Sequence, residues 1–203
     1  MKLYVADYAP NPRRVRWLMA EKGIGDIEII PLDIMNLDHK RHPAVAASGM
    51  DGLPVLELDD GSYLTESIAI GRYLESLYPE PNLFGRDARE VAEIEMWTRR
   101  VELMLANPLM LGTRLSHPAL KVLEQPNPEA AAYFLNMANG FAAKLDARLE
   151  GRDFIMDRVS IADVVAICAL DFARIIRVRP DRDLPNLGRW VKTMRERAAA
   201  AVN

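Results

Sequence analysis

Apolar and polar positions follow two rhythms along this chain, and the change of rhythm divides it. "KLYVA", Lys2 to Ala6, is a short run of strand formers. "RRVRWLMAEKG" follows, with Val15, Leu18 and Met19 on one helical face and Gly23 as a stop signal. "IEIIPL" is a second short apolar strand, closed by Pro31. Strand, helix and parallel strand in succession predict a βαβ unit. The polar segment from Asp38 to Ala47 predicts a partly helical connection. "LPVLEL" and "SYLT" read as two strands joined by "DDG", a hairpin turn signal. "ESIAIGRYLESLY" then brings Ile68, Ile70, Tyr73, Leu74 and Leu77 together at helical spacing. The prediction for this part of the chain is β-α-β-(α)-β-β-α.

"PEPNLFGRD" breaks the pattern with two prolines, an Asn and a Gly, and reads as a linker. Everything beyond it has helical periodicity: Ala88 to Leu111, Pro128 to Leu149, Ser160 to Ile176 and Asn186 to Ala200. The expected architecture is an α/β domain over residues 1–80 and an all-helical domain over residues 87–203. Within the second, "SIAD" (Ser160 to Asp163) is a capping-box pattern ahead of the apolar run "VVAICAL". It carries structure and no chemistry.

Composition narrows the partners. A net charge of −3 gives no electrostatic case for nucleic acid or an anionic membrane. The one cysteine, Cys168, excludes an intramolecular disulfide and a Cys-based zinc cluster, which fits a reducing cytoplasm. "LYVA" is too short for a secretory core, and no apolar run reaches membrane-spanning length. A cytoplasmic location is the expectation. His117 has no spaced second ligand, so no metal site is expected.

Three stretches carry candidate chemistry, each with a structural reading beside the functional one. Pro54 opens an apolar strand, where it is either a tolerated edge proline or the second residue of a cis Leu53–Pro54 bond that turns the Leu53 backbone toward a ligand. In "LTES", Glu66 and Ser67 fall at a helix start, where backbone N–H groups and the helix dipole favour an anion. A hydroxyl and a carboxylate side by side suit an amino-acid head group; equally, Thr65, Glu66 and Ser67 are good caps. In "DYAPNPRRVRW", Asn11 stands before Pro12, which reads as an N-cap followed by proline at the first helical position. Arg13, Arg14 and Arg16 then crowd the positive end of the helix, as if an anion docked there.

Taken together, "RRVRWLMAEKG", "GLPVLELDDGSYLTESIAIGRYLESLYP" and "SIAD" resemble the cytosolic glutathione S-transferases along nearly the whole chain. The resemblance implies a thioredoxin-like N-terminal domain, an all-α C-terminal domain, glutathione as co-substrate, a small electrophile or disulfide as second substrate, and a homodimer. It implies that Leu53, at the Leu53–Pro54 bond, pairs its backbone with the cysteinyl moiety. Glu66 and Ser67 would hold the γ-glutamyl ammonium and carboxylate. His39 and Lys40 resemble the family's "HK" near the glycyl carboxylate, while Gly52 stands where relatives often place Lys, Gln or Arg. Ala9 occupies the position of the family's serine or cysteine, and "APN" resembles the "TPN" of the Nu and Ure-type classes. Asn11 is therefore the implied group at the sulfur, with Tyr8 as a hydroxyl alternative; Tyr4 is expected in the core. Met104, Leu109, Met110 and Arg114 match the electrophile pocket by fold position. Transferase and disulfide-reductase chemistry both remain open, as does a non-catalytic binding or dimerisation module, which Ala9 favours.

Overall fold

Leu3, Tyr4 and Val5 are all buried, so the first strand, β1 (Lys2–Val5), is covered on both faces. The structure is a computed structural model describing residues 1–202. Strand β1 sits inside a four-stranded sheet of order β2-β1-β3-β4, with β2 at Glu28–Pro31, β3 at Val55–Glu57 and β4 at Tyr63–Leu64. Lys2 to Val5 pair in parallel with Glu28 to Pro31, and Leu3 pairs antiparallel with Leu56. The parallel pair is bridged by α1 (Pro10–Lys22), ended by Gly23 at φ 66, a left-handed conformation that glycine takes without a Cβ penalty. Two short helices, α2 (Asp38–Arg41) and α3 (Pro43–Ala47), precede β3, and α4 (Ser67–Leu77) follows β4. This is the expected thioredoxin-like topology.

The chain divides into two units, Met1–Pro81 joined by Ala201 and Val202, and Asn82–Ala200. The tail therefore departs from an all-helical domain running to residue 203. The helix α9 (Pro185–Arg195) stops short, a 3₁₀ turn covers Ala198–Ala201, and Arg13 Nε donates to the Val202 carbonyl at 3.0 Å.

In the second unit, Asp87 caps α5 (Ala88–Val101), accepting from the Arg89 and Glu90 amides at 2.9 Å each. One helix was expected to Leu111. Instead a π turn covers Glu102–Ala106, and α6 continues through Asn107–Ser116. Pro108 is the cause: it has no N–H for the Met104 carbonyl and its ring crowds that oxygen, so the preceding turn widens, with the Asn107 amide reaching back to Glu102. Asn127 caps α7 (Pro128–Arg148) through the Ala130 amide at 3.0 Å.

Helix α8 (Ile161–Ala173) is buried without a break from Ile161 to Leu170, which makes it the axis of the helical unit. Cys168 lies within it, buried and unbonded to another sulfur. The "SIAD" capping box forms, and its acid does more than cap. Asp163 accepts from the Ser160 amide and hydroxyl at 3.0 Å, the Ile155 amide at 2.9 Å and Trp190 Nε1 at 2.9 Å. Burial pushes its carboxyl upward, and these four donors oppose that shift by favouring the ionised form. The carboxylate thus ties the start of α8 to the preceding loop and to α9.

Asp163→Ala should lower stability by at least about 3 kcal/mol, because three donors outside the Ser160 hydroxyl lose their acceptor and each orphaned buried donor costs about 1–3 kcal/mol. A urea titration read by tryptophan fluorescence measures this; a loss near 1 kcal/mol would reduce Asp163 to an ordinary cap.

Candidate functional site

The start of α4 departs from ordinary helix starts in its backbone and in its caps. Glu66 precedes the helix with φ 64 and ψ 114, a conformation that L-residues rarely adopt because the Cβ crowds the backbone. Neither Glu66 nor a neighbour supplies a side-chain cap there, so the capping reading of "TES" is not what the structure adopts. The first intrahelical bond runs from the Ile70 amide to the Glu66 carbonyl at 2.9 Å. The amides of Ser67, Ile68 and Ala69 consequently have no acceptor within the helix. Three aligned donors and the dipole make this end a place for an anion.

Ser67 is turned inward. Arg14 Nη1 donates to its Oγ at 3.3 Å, across the packing of α1 on α4, and Arg14 is only 3% exposed. The Glu66 side chain is exposed. A carboxylate and a hydroxyl thus stand side by side in sequence at this helix start, one in solvent and one against a buried cation.

Ahead of β3, the Leu53–Pro54 peptide is cis. Pro54 is buried, and Leu53 packs against the cluster of Tyr4, Ala44, Val45 and Val55. The β1–β3 ladder begins at Val55, which leaves the Leu53 backbone outside it. Backbone beside a sheet, but outside its ladder, can pair with an incoming peptide.

The start of α1 requires a correction. The N-cap is Ala9, which offers no side chain to cap with, and Pro10 occupies the first helical position. Asn11 is the second helical residue, half-buried with its Oδ1 shielded from solvent, and is not a cap. Pro10 and Pro12 bring no N–H, the Ala9 amide donates to the Ala6 carbonyl and the Arg13 amide to the Ala9 carbonyl. Asn11 is thus the one residue among the first three of the helix that carries a backbone N–H. The three arginines fall beyond this turn, where the dipole has faded. Each has a role inside the unit: Arg13 lies over the Trp17 ring at 5.3 Å, Arg16 pairs with Asp7 at 3.3 Å, and Arg14 reaches Ser67. They do not assemble an anion site at the start of α1. Arg14 instead reaches the first residue of α4, a partnership the sequence spacing did not reveal.

Tyr8 also has a left-handed backbone, φ 63, and its ring is 74% exposed, so its hydroxyl stands in solvent. Tyr4 is in the core as expected. Its hydroxyl donates to Glu57 Oε2 at 2.6 Å, and burial together with that carboxylate pushes its pKa up to about 12. A phenol so placed cannot stabilise a thiolate. His39 is buried within α2 while Lys40 is exposed, so the two halves of "HK" face different surroundings. A Cβ on Gly52 would meet nothing within 4 Å, so the missing side chain there answers no steric demand.

Of the four residues expected at an electrophile pocket, Leu109 is fully buried inside the helical unit. Without accessible surface it cannot touch a ligand, and it leaves the set. Met104 is exposed on the π turn, and Met110 and Arg114 are half-buried on α6. Among the described residues no three His, Cys, Asp or Glu side chains gather as a metal site, and no helix is long and apolar enough to cross a membrane.

Known proteins share this fold. The family model of the glutathione S-transferase N-terminal domain matches residues 3–82, and that of the glutathione S-transferase C-terminal domain matches residues 119–198. The chain is 30% identical to Glutathione S-transferase 2 of Saccharomyces cerevisiae over 201 residues, 97% of this chain and 86% of that protein. It is 29% identical to Glutaredoxin 2 of Escherichia coli over 160 residues, 79% of this chain and 69% of that one. The crystal structure of a glutathione S-transferase domain-containing protein from Marinobacter aquaeolei superposes with a TM-score of 0.91 at 31% identity, covering 98% of this chain and 99% of that chain. Matched in both halves and over nearly its full length, the chain belongs to the glutathione S-transferase family.

Proposed function

We propose that this protein binds glutathione in its thioredoxin-like unit, stabilises the thiolate, and directs it to a small electrophile or a disulfide. The observation that carries this reading is the uncapped start of α4, where Glu66 is held at φ 64 and Ser67 lies against buried Arg14. A helix start built only for stability would cap itself; this one keeps its donors for a ligand. Glu66 receives the γ-glutamyl ammonium, while Ser67 and the first-turn amides receive the γ-glutamyl carboxylate. The Leu53 backbone pairs with the cysteinyl moiety, and His39 and Lys40 lie toward the glycyl end. Met104, Met110 and Arg114 are the residues proposed to meet the second substrate.

At the sulfur we place Asn11, in the manner of the Nu and Ure-type classes. Lowering a thiol pKa from about 8.5 to about 6.5 takes about 2.7 kcal/mol. A hydrogen bond to a charged group supplies about 1.5–3 kcal/mol and a helix N-terminus about 0.3–1. With Pro10 and Pro12 silent as donors, we assign this donation to the side-chain amide of Asn11. Tyr8, exposed, is the lesser candidate. With Ala9 and a buried Cys168, the reaction uses the thiol of glutathione and none from the protein, which suits disulfide reduction as well as conjugation. We further propose a cytoplasmic homodimer; light scattering at twice the chain mass is its expected signature. Ala9 favours a second reading, a non-catalytic binding module. Tight glutathione binding by calorimetry without turnover on chlorodinitrobenzene or hydroxyethyl disulfide would select that module.

Glu66 separates binding from folding. Glu66→Gly should melt at or above the wild-type temperature, since glycine takes φ 64 freely, while glutathione binding falls by about 1–3 kcal/mol. Ser67→Ala should lose a similar amount of binding. Unchanged calorimetric affinity in both variants removes this site from glutathione recognition.

Asn11 gives the chemical test. Asn11→Ala should raise the pKa of bound glutathione by about 1–2 units, with turnover falling at neutral pH and recovering in part as pH rises. Asn11→Asp should stay folded, because a carboxylate in the first turn suits the dipole, yet lose turnover because its charge repels the thiolate. Full activity in Asn11→Asp would end the assignment.

A further inference from the structure

We propose that Arg100 and Arg148, held together on the ring of Trp97, form a binding site for a phosphate group on the helical unit. The site stands independently of the glutathione reading. Trp97 lies on α5, half-buried. The Arg100 guanidinium is 5.0 Å from its ring centroid, and that of Arg148, the last residue of α7, is 5.1 Å from the same centroid. Sharing one ring makes the two cations close neighbours. Arg148 also has a structural duty: its Nε donates to the Ile155 carbonyl at 2.9 Å, and its charge suits the C-terminal end of α7. That engages one nitrogen, and neither Nη meets an acceptor among the described residues. Arg100 is exposed, and its place on α5 explains why the ring is its partner. The positions three and four residues away on either side are Met96, Trp97, Leu103 and Met104, with no carboxylate among them.

The carboxylates of this surface are already engaged. Glu93 pairs with Arg89 at 2.9 Å, and Asp157 with Arg152 at 2.9 Å. Burial, the Arg152 charge and the Arg100 charge lower the Arg148 guanidinium from its ordinary value, while Asp157 and Glu93 oppose the shift. Two cations drawn to one ring, repelling each other and lacking a carboxylate of their own, gain most from a doubly charged occupant. A phosphate group carries about −1.5 to −2 at neutral pH and three acceptor oxygens, which suit two planar guanidinium forks. A carboxylate brings one charge and two oxygens, enough for one fork. Trp97 supplies preorganisation: by holding both side chains on its ring it removes rotamer freedom before a ligand arrives.

The test is calorimetric titration of the full chain with inorganic phosphate and with glycerol 3-phosphate, at fixed ionic strength. Both should bind saturably, and more tightly at about pH 8 than at about pH 5, because the arginines stay charged while the ligand loses its second charge near about pH 6. Arg100→Gln and Arg148→Gln should each weaken binding at least about tenfold. Arg99→Gln, whose side chain pairs with Glu102 at 2.9 Å, should bind like wild type. Arg100 is exposed, so its variant keeps the proposal testable if Arg148→Gln does not fold. Tighter binding of glycerol 3-phosphate assigns the site to a phosphorylated small molecule; equal or weaker binding assigns it to the free ion. No saturable binding overturns the proposal, and so does binding undiminished in Arg100→Gln, which places the phosphate elsewhere. An equal loss in Arg99→Gln, or an affinity indifferent to pH, marks general surface charge and overturns it as well.

Discussion

A helix start without caps is the constraint around which the thioredoxin-like unit is built. The amides of Ser67, Ile68 and Ala69 lack intrahelical acceptors, and the ordinary remedy, a Ser, Thr or Asp side chain folded back onto them, is absent. With the donors left uncapped, Glu66 stands at positive φ with its side chain in solvent. Helix α1 packs on α4 closely enough for Arg14 to reach Ser67. The Leu53 backbone lies outside the sheet ladder but in the same unit. Backbone strain, a buried cation and an unfinished strand edge all reduce stability when viewed alone. Together they are the features on which the proposed glutathione site rests.

The helical unit solves the opposite problem. Asp163 gathers four donors into one buried acceptor, which ties down the start of α8. One unit closes its central helix start with a buried acceptor; the other leaves a helix start without a side-chain cap. That division follows the general expectation that strain gathers where a protein binds and that satisfied networks gather where it only has to hold together.

Strands, helices and the break at "PEPNLFGRD" were legible because periodicity and turn residues act locally. The strand pairing of the first unit and the capping box of α8 follow from them directly. Glu66 and Ser67 were legible as a polar pair at a helix start, yet capping and ligand binding leave the same residues in the same order; only the φ of Glu66 and the inward turn of Ser67 separate them. Asn11 was misread as a cap because Asn-Pro is a common helix opening, while here Pro10 begins the helix one residue earlier. The arginines misled for a related reason. Their sequence positions suggested one shared ligand, but Arg14 is one and two positions from the others and so faces another way, toward Ser67, while Arg13 lies over Trp17 and Arg16 pairs with Asp7. Leu109 could not be separated from Met110 by apolar character; which side of α6 meets the core is set by the π turn before it, a feature whose only sequence trace is Pro108.

That π turn is a residue count as much as a shape. A π turn holds one residue more than the α turn it replaces, so Glu102–Ala106 stores what amounts to a single inserted residue within an otherwise continuous helix. Length is therefore a variable independent of side-chain identity here. Deleting one residue between 102 and 106 would restore regular winding and leave α6 facing as it does, because the widened turn and the regular turn each close about one revolution. Leu109 and Thr113, now fully buried, would stay in the interior. A change of one codon is therefore absorbed in this turn, without rewriting which side chains the following helix offers to a second substrate.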